Sequence, residues 1–218
     1  MATPPPTARV KPRLRGVLHE IAFFVAAALA IPLLATAPPG RGRVAAVVFA
    51  LCVPLCFGAS ALYHRPTWSP HVRSWLARLD HAGVYLLIAG TYTPFGLLVF
   101  SPGWAVPVLA IVWSGALGAI LMKLFWSGTP KWASAVIGLS LGWTGVAALG
   151  ELAKVGPAGL ALVASGGLLY TVGAVVYARK RPDPAPAFFG YHEIFHACTV
   201  AGAGCQYAAV ALFVLPLG

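Results

Sequence analysis

The sequence predicts an all-α, polytopic membrane protein folded as a bundle of seven transmembrane helices. Hydrophobic residues make up 59% of the 218 positions and charged residues only 9%, whereas about a quarter of the residues in a soluble domain are charged. The apolar residues also come in blocks of about twenty, the length that a helix needs to cross a hydrocarbon layer roughly 30 Å thick. The composition therefore excludes an ordinary water-soluble domain.

Seven apolar blocks account for the chain after its first sixteen residues, and short segments rich in proline and glycine separate them. The blocks are residues 17–37, 44–64, 73–100, 104–126, 132–150, 158–178 and 191–215. The segments between the blocks are too short to hold another domain. Residues 17–218 are therefore predicted to form a single membrane domain.

Residues 1–16, MATPPPTARVKPRLRG, are rich in proline and in basic side chains. This composition predicts a disordered tail that is held near anionic lipid headgroups. A secretory signal peptide is the competing interpretation. It is disfavoured because the following apolar run is about twenty residues long, which exceeds a typical signal sequence, and no small-residue cleavage site clearly follows it.

The positions of lysine and arginine predict the orientation, because short cytoplasmic loops collect these residues. With the N-terminus inside, twelve of the fifteen fall on the cytoplasmic side, and only Arg41, Arg43 and Lys154 fall outside. The C-terminus is then outside. This orientation argues against a G-protein-coupled receptor, and a seventh block without lysine argues against a retinal protein. We attribute the net charge of +10 to topology and lipid contact rather than to nucleic-acid binding.

Two of the five acidic residues, Asp80 and Glu193, lie within apolar blocks. A charge there costs about 2.5 kcal/mol or more and usually serves a function. Three histidines are predicted at the same end of the bundle: His64 ends the second block, and His192 and His196 lie one turn apart at the start of the seventh. A histidine pair at i and i+4 together with a third histidine is typical of a zinc site with an open fourth position. We therefore predict Zn²⁺ at these three histidines.

Other polar residues at this end have more than one interpretation. Asp80, two to three turns into the third block, is the stronger candidate for holding a metal-bound water. The segment HEIFH matches the protease pattern HExxH, but the pattern is short, and Glu193 has either a chemical role or a contact with an outer donor or a loop arginine. Ser60, one turn before His64, either hydrogen-bonds that water or Asp80, or eases helix packing. His81 points about 100° away from Asp80, which favours a packing or outer role over that of a fourth ligand.

Three segments together resemble the haemolysin III branch of the progestin and adipoQ receptor family. They are GASALYHRP, LDHAGVYLLIAGTYTPF and YHEIFHACTVAG. The resemblance implies a seven-helix fold and a zinc site near the cytoplasmic face, formed by the serine, the aspartate and the three histidines of these motifs: Ser60, Asp80, His64, His192 and His196. The family's first-helix motif is reduced here to a short segment in which His19 is its remnant, so the resemblance does not carry that motif's role at the cytoplasmic entrance over to this chain.

A zinc ion with an exchangeable water can lower the pKa of that water to about 7 and polarise an amide or ester carbonyl. The resemblance to relatives with this architecture implies that the chain is a lipid amidase. The resemblance to bacterial members implies a role in homeostasis of the plasma membrane. The expected partners are membrane lipids. Two alternatives are a receptor or lipid-state sensor with a structural zinc, and a cytolytic pore. The pore is disfavoured because the helices offer few charged residues to line an aqueous path.

Overall fold

The computed structural model describes residues 11–126 and 128–218. Helices dominate these residues, which confirms the all-α prediction. The α-helices are α1 Val17–Thr36, α2 Arg41–His64, α3 Pro70–Leu98, α4 Pro102–Phe125, α5 Lys131–Trp143, α6 Leu149–Leu152, α7 Gly156–Arg179 and α8 Tyr191–Ala209. The first ten residues of the predicted tail lie outside the described residues.

Five segments of the described residues are long and apolar enough to cross a membrane. They are Val17–Thr36, Arg41–His64, Pro102–Phe125, Lys131–Arg179, which includes α5 to α7, and Tyr191–Leu217. Helix α3 is also 29 residues long, but its first half carries Arg73, Arg78 and Asp80. The chain is therefore a polytopic integral membrane protein. The count of seven crossings and their orientation stay predictions.

The fifth apolar block is not the single helix over residues 132–150 that the sequence predicts. Helix α5 ends at Trp143, and a 3₁₀ turn, the short helix α6 and a second 3₁₀ turn follow it. The break lies beside Tyr92 of α3, whose hydroxyl donates to the Gly142 carbonyl at 2.6 Å and accepts from the Gly145 amide at 2.7 Å. These hydrogen bonds occupy backbone groups that a continuous helix would use. Because glycine is also a weak helix former, the helix ends at this point.

Helix α2 packs between α1 and α3, α4 packs on α3, and α8 packs on α7 and against α1. The contact between α2 and α3 is close at Gly83, where an added Cβ would lie 3.2 Å from Cα of Cys56. Asp80 lies about one turn before Gly83 on α3, and Ser60 lies one turn after Cys56 on α2. The close approach therefore brings the carboxylate of α3 next to the polar end of α2.

We call the end of the bundle where α2 ends and α8 begins the histidine end, because it holds His64, His192 and His196. Residues 11–16 cross it, with a turn over residues 13–16, and the amides of Arg13 and Leu14 donate to the carbonyls of residues 187 and 188 at 3.0 and 3.2 Å. This part of the expected tail thus packs on the loop before α8, which supplies acceptors for the backbone of Arg13 and Leu14.

Gly16 ends this crossing segment and precedes α1. Its φ of 84° is a left-handed conformation that favours glycine. An added Cβ would also lie 2.6 Å from Cβ of His64. Glycine is therefore required at residue 16 for two reasons, and its small size lets the N-terminal segment pass directly over His64.

Candidate metal centre

Three histidines from two helices converge at the histidine end. His64 is the last residue of α2, and His192 and His196 lie in the first two turns of α8, where a spacing of four residues places them on one face. The Nε2 atoms of His64 and His192 are 3.1 Å apart. One ligand atom from each of the three residues lies within 4.8 Å of the others, and all three side chains are buried. The structure thus brings together the three residues that the sequence selected.

Asp80 lies beside this cluster, on α3. One of its carboxylate oxygens is 3.5 Å from Nε2 of His64, which is the same nitrogen that faces His192. Asp80 is only 9% exposed. Its charge is therefore directed at the point where the ring nitrogens meet. A carboxylate that only oriented the ring would instead contact the other nitrogen of His64.

Ser60 and His81, the other two polar residues considered beside Asp80, line the same cavity as Asp80. The Ser60 hydroxyl is buried and has no hydrogen-bond partner among the described residues. His81 faces α7, where its Nε2 lies 3.5 Å from the hydroxyl of Tyr177. Ser60 therefore retains a free polar group directed at the cavity, whereas His81 contacts a neighbouring helix and does not belong to the three-histidine cluster.

Glu193 lies between His192 and His196 in sequence but has different partners. Its carboxylate accepts hydrogen bonds from Nε of Arg15 and, at 2.8 Å, from the amide of Gly190 at the start of α8. The second bond satisfies a backbone donor at the helix start, as the glutamate of a capping box does, although Gly190 has no side chain to complete that motif. Of the roles considered for Glu193, the contact with an arginine is the one that the structure contains.

We expect the change Glu193→Ala to destabilise the fold by about 2–3 kcal/mol, because it leaves the partly buried Arg15 charge and the buried Gly190 amide without their acceptor. The stability of the purified protein in neutral detergent, followed by thermal unfolding, measures this effect. Glu20→Ala is the matched control, since the Glu20–Arg65 pair is 41% exposed on both sides and such pairs contribute about 0–1 kcal/mol. Equal effects of the two changes would contradict the structural role of Glu193.

His19 is a residue of this end that sequence reasoning underrated. The sequence predicted only that it is a remnant of the first-helix motif. The side chain is buried, at 3% exposed, and its ring stacks on His196 with centroids 3.7 Å apart and an angle of 9°. Neither ring nitrogen has a hydrogen-bond partner among the described residues. The resemblance of the first helix to the family motif was the available signal.

The residues of the cluster fit a metal ion. Three imidazoles are a common ligand set for zinc, and the Nε2 atoms of His64 and His192 already lie close together. Nδ1 of His196 is buried with no hydrogen-bond partner among the described residues, and a buried polar atom without a partner costs free energy. A bound cation would draw the ring nitrogens together and balance the Asp80 charge. The cluster could therefore hold a metal ion.

A cavity of about 570 Å³ opens beside the cluster and runs between α3, α5, α7 and α8. Asp80, His192 and His196 line one part of it. The remaining wall is mainly apolar, with Ile88, Phe95 and Val163 among its side chains. Cavities of 300–1,000 Å³ with apolar walls and a few polar groups are typical of binding sites for small molecules.

Together the fold and this site define a polytopic membrane protein with a buried histidine cluster at one end of its bundle, next to an apolar cavity. The chain belongs to the Haemolysin-III related family, whose model matches residues 7–207. This match spans nearly the whole chain and includes every residue of the cluster. It confirms the resemblance that the three sequence motifs carried.

Two similar proteins come from Bacillus species. Hemolysin-3 of Bacillus cereus is 34% identical over 177 residues, which cover 79% of this chain and 76% of that protein. The Hemolysin-3 homolog of Bacillus subtilis (strain 168) is 33% identical over 167 residues, which cover 76% of this chain and 75% of its own length. The likeness therefore extends over most of both chains.

Proposed function

We propose that this protein is a zinc-dependent hydrolase of lipid amides or esters that acts in membrane homeostasis. The observation that carries the proposal is the position of Asp80, His192 and His196 in the wall of an apolar cavity inside a membrane protein, with His64 clustered against them. Such a cavity suits the chain of a lipid, and the polar groups at its edge suit a carbonyl. Three imidazoles with an open fourth position are a common ligand set for zinc.

In this proposal His64, His192 and His196 hold the zinc ion. When bound, zinc supplies a Lewis acid that polarises a carbonyl and acidifies water. Asp80 accepts the proton of the attacking water, the carbonyl carbon gains a bond to oxygen, and its bond to the amide nitrogen or ester oxygen breaks. The proton then passes to the leaving amine or alcohol, which balances the reaction. The free hydroxyl of Ser60 orients the water.

The cavity has two further roles in the proposed reaction. Its apolar wall holds the lipid chain and thereby fixes the carbonyl relative to Asp80, which lowers the entropy cost of reaction. The same wall limits the access of bulk water to the site. Membrane lipids are accordingly the proposed substrates, and anionic headgroups are the proposed contacts of the basic surface.

The proposed topology has seven crossings with the N-terminus in the cytoplasm of a bacterium. It rests on the positive-inside rule. The histidine end carries Arg15, Arg65 and Arg78, whereas Lys154 lies between α6 and α7 at the other end of α7. The cluster would thus open towards the cytoplasmic leaflet of the plasma membrane.

The test is release of fatty acid from a panel of lipid amides and esters by the purified protein in neutral detergent, measured by mass spectrometry. We expect turnover of at least one class, loss of turnover with a chelator and recovery with added zinc. His192→Ala, purified in the same way, controls for contaminating lipases. No release from any lipid of the panel would exclude the hydrolase and favour a receptor or sensor in which the metal is structural.

The relatives are named for haemolysis, which keeps a pore as a second candidate. Leakage of a small dye from liposomes that contain the purified protein measures pore formation. We expect none above that of empty liposomes. Leakage that persists after loss of the three histidines would favour the pore over the hydrolase.

A further inference from the structure

A buried lysine in the cavity wall has no role in the proposed reaction. Lys123 lies in the last turn of α4 and is 6% exposed, and among the described lysines and arginines it alone is buried. Its side chain lines the cavity. Nζ donates to the hydroxyl of Ser134 on α5 at 2.5 Å.

None of the five Asp and Glu side chains, all of which lie within residues 11–126 and 128–218, forms an ion pair with Lys123. Each of the five acidic residues has a partner elsewhere: Glu20 pairs with Arg65, Asp80 with His64, Glu151 with Lys154, Glu193 with Arg15, and Asp183 accepts from the amide of Tyr191. Over residues 11–126 and 128–218, Lys123 has no carboxylate oxygen within 4 Å. A charge placed within a membrane protein without a counter-charge is costly and usually marks a functional site.

Lys123 also differs from lysines whose side chains only extend to the membrane interface. Such lysines extend towards the interface and keep the ammonium group in water. The Lys123 ammonium is instead fixed against Ser134, whose backbone carbonyl accepts a hydrogen bond from the Tyr85 hydroxyl at 3.3 Å. The positive group is therefore held in the cavity wall, between α4, α5 and α3.

The position of this group within the cavity identifies the kind of ligand that it suits. Tyr85 follows Asp80 by five residues on α3, which is about 7.5 Å along the helix. Apolar side chains such as Ile88 and Leu139 line the wall beyond it. A ligand with an anionic group and an apolar chain would pair with Lys123 and fill this wall, whereas a neutral ligand would leave the charge unpaired.

We propose that Lys123 binds the anionic group, a carboxylate or a phosphate, of a single-chain amphiphile whose apolar chain occupies the cavity. The ammonium group supplies a charge-assisted hydrogen bond, and Ser134 orients it. The proposal concerns equilibrium binding, so it does not depend on the proposed hydrolysis. In a hydrolase the same site would select anionic substrates or hold the released fatty acid.

The test compares binding of oleate, oleyl phosphate and neutral oleyl alcohol to the purified full chain in neutral detergent, by displacement of a fluorescent fatty acid. Lys123→Gln keeps a donor for Ser134 but removes the charge. We expect it to weaken binding of the anionic probes by about 10- to 100-fold, as loss of a hydrogen bond to a charged group predicts, and to leave oleyl alcohol within about twofold.

Ser134→Ala is the matched control, because it removes the hydrogen bond and keeps the charge. If Lys123 only ties α4 to α5, Ser134→Ala and Lys123→Gln weaken all three probes alike, and the proposal is overturned. Unchanged binding of both anionic probes to Lys123→Gln also overturns it. The anionic probe that binds more tightly identifies the headgroup. If inorganic phosphate alone displaces the fluorescent fatty acid, the site binds a free anion, and the proposal of an amphiphilic ligand is overturned. Since the assay contains no turnover, absence of hydrolysis would not affect its result.

Discussion

Replacing Asp80 with asparagine should lower the turnover of a lipid amide or ester by about 10²- to 10⁴-fold, the contribution usual for a positioned base. Asparagine has nearly the same shape but cannot accept a proton from water. The carboxylate lies 3.5 Å from Nε2 of His64, on the side where the ring nitrogens converge, so in the proposed reaction its loss leaves the attacking water without a base. The measurement is the initial rate of fatty-acid release at saturating lipid.

The metal content of the same preparation separates chemistry from ligand loss. We expect Asp80→Asn to keep its metal, because the three histidine nitrogens stay in place. Glu20→Gln is the control carboxylate, since Glu20 is exposed at the same end of the bundle, and it should turn over like the wild type. Full turnover by Asp80→Asn would exclude Asp80 as the base, and loss of metal together with turnover would assign it a role in binding the ion.

Replacing His192 with alanine should reduce the metal content of the purified protein by more than about tenfold. Even the partners that only orient metal ligands contribute 10- to 100-fold to affinity, so loss of one of three ligands should have a larger effect. The measurement is elemental analysis by mass spectrometry of protein purified without added metal. His71→Ala is the matched control, because His71 is an exposed histidine in the first turn of α3 at the same end.

Two results would contradict this expectation. One is a wild-type protein without stoichiometric metal, which would remove the metal centre altogether. The other is a His192→Ala variant that keeps the metal of the wild type, which would place the ion elsewhere. A variant that loses its metal but keeps its thermal stability would further argue against an ion that only ties helices together.

The three clustered histidines were predictable because two local properties of the sequence select them. The spacing of His192 and His196 places both on one face of any helix that contains them. His64 is the last residue of an apolar block. Because successive helices alternate in direction, the end of α2 and the start of α8 lie at the same end of the bundle. The break after α5 was not predictable in this way, because it depends on hydrogen bonds between Tyr92 and the backbone of α5 and its following turn.

The amino-acid sequence by itself determined that this protein is an all-α membrane protein, because hydropathy over twenty residues is a property of a continuous segment. It also indicated which three histidines lie together, His64, His192 and His196. Only the tertiary structure decided that Glu193 pairs with Arg15, 178 positions away, that His19 stacks on His196, and that Lys123 faces the cavity without a counter-charge. Such pairings depend on which helices pack together, and no local pattern encodes them.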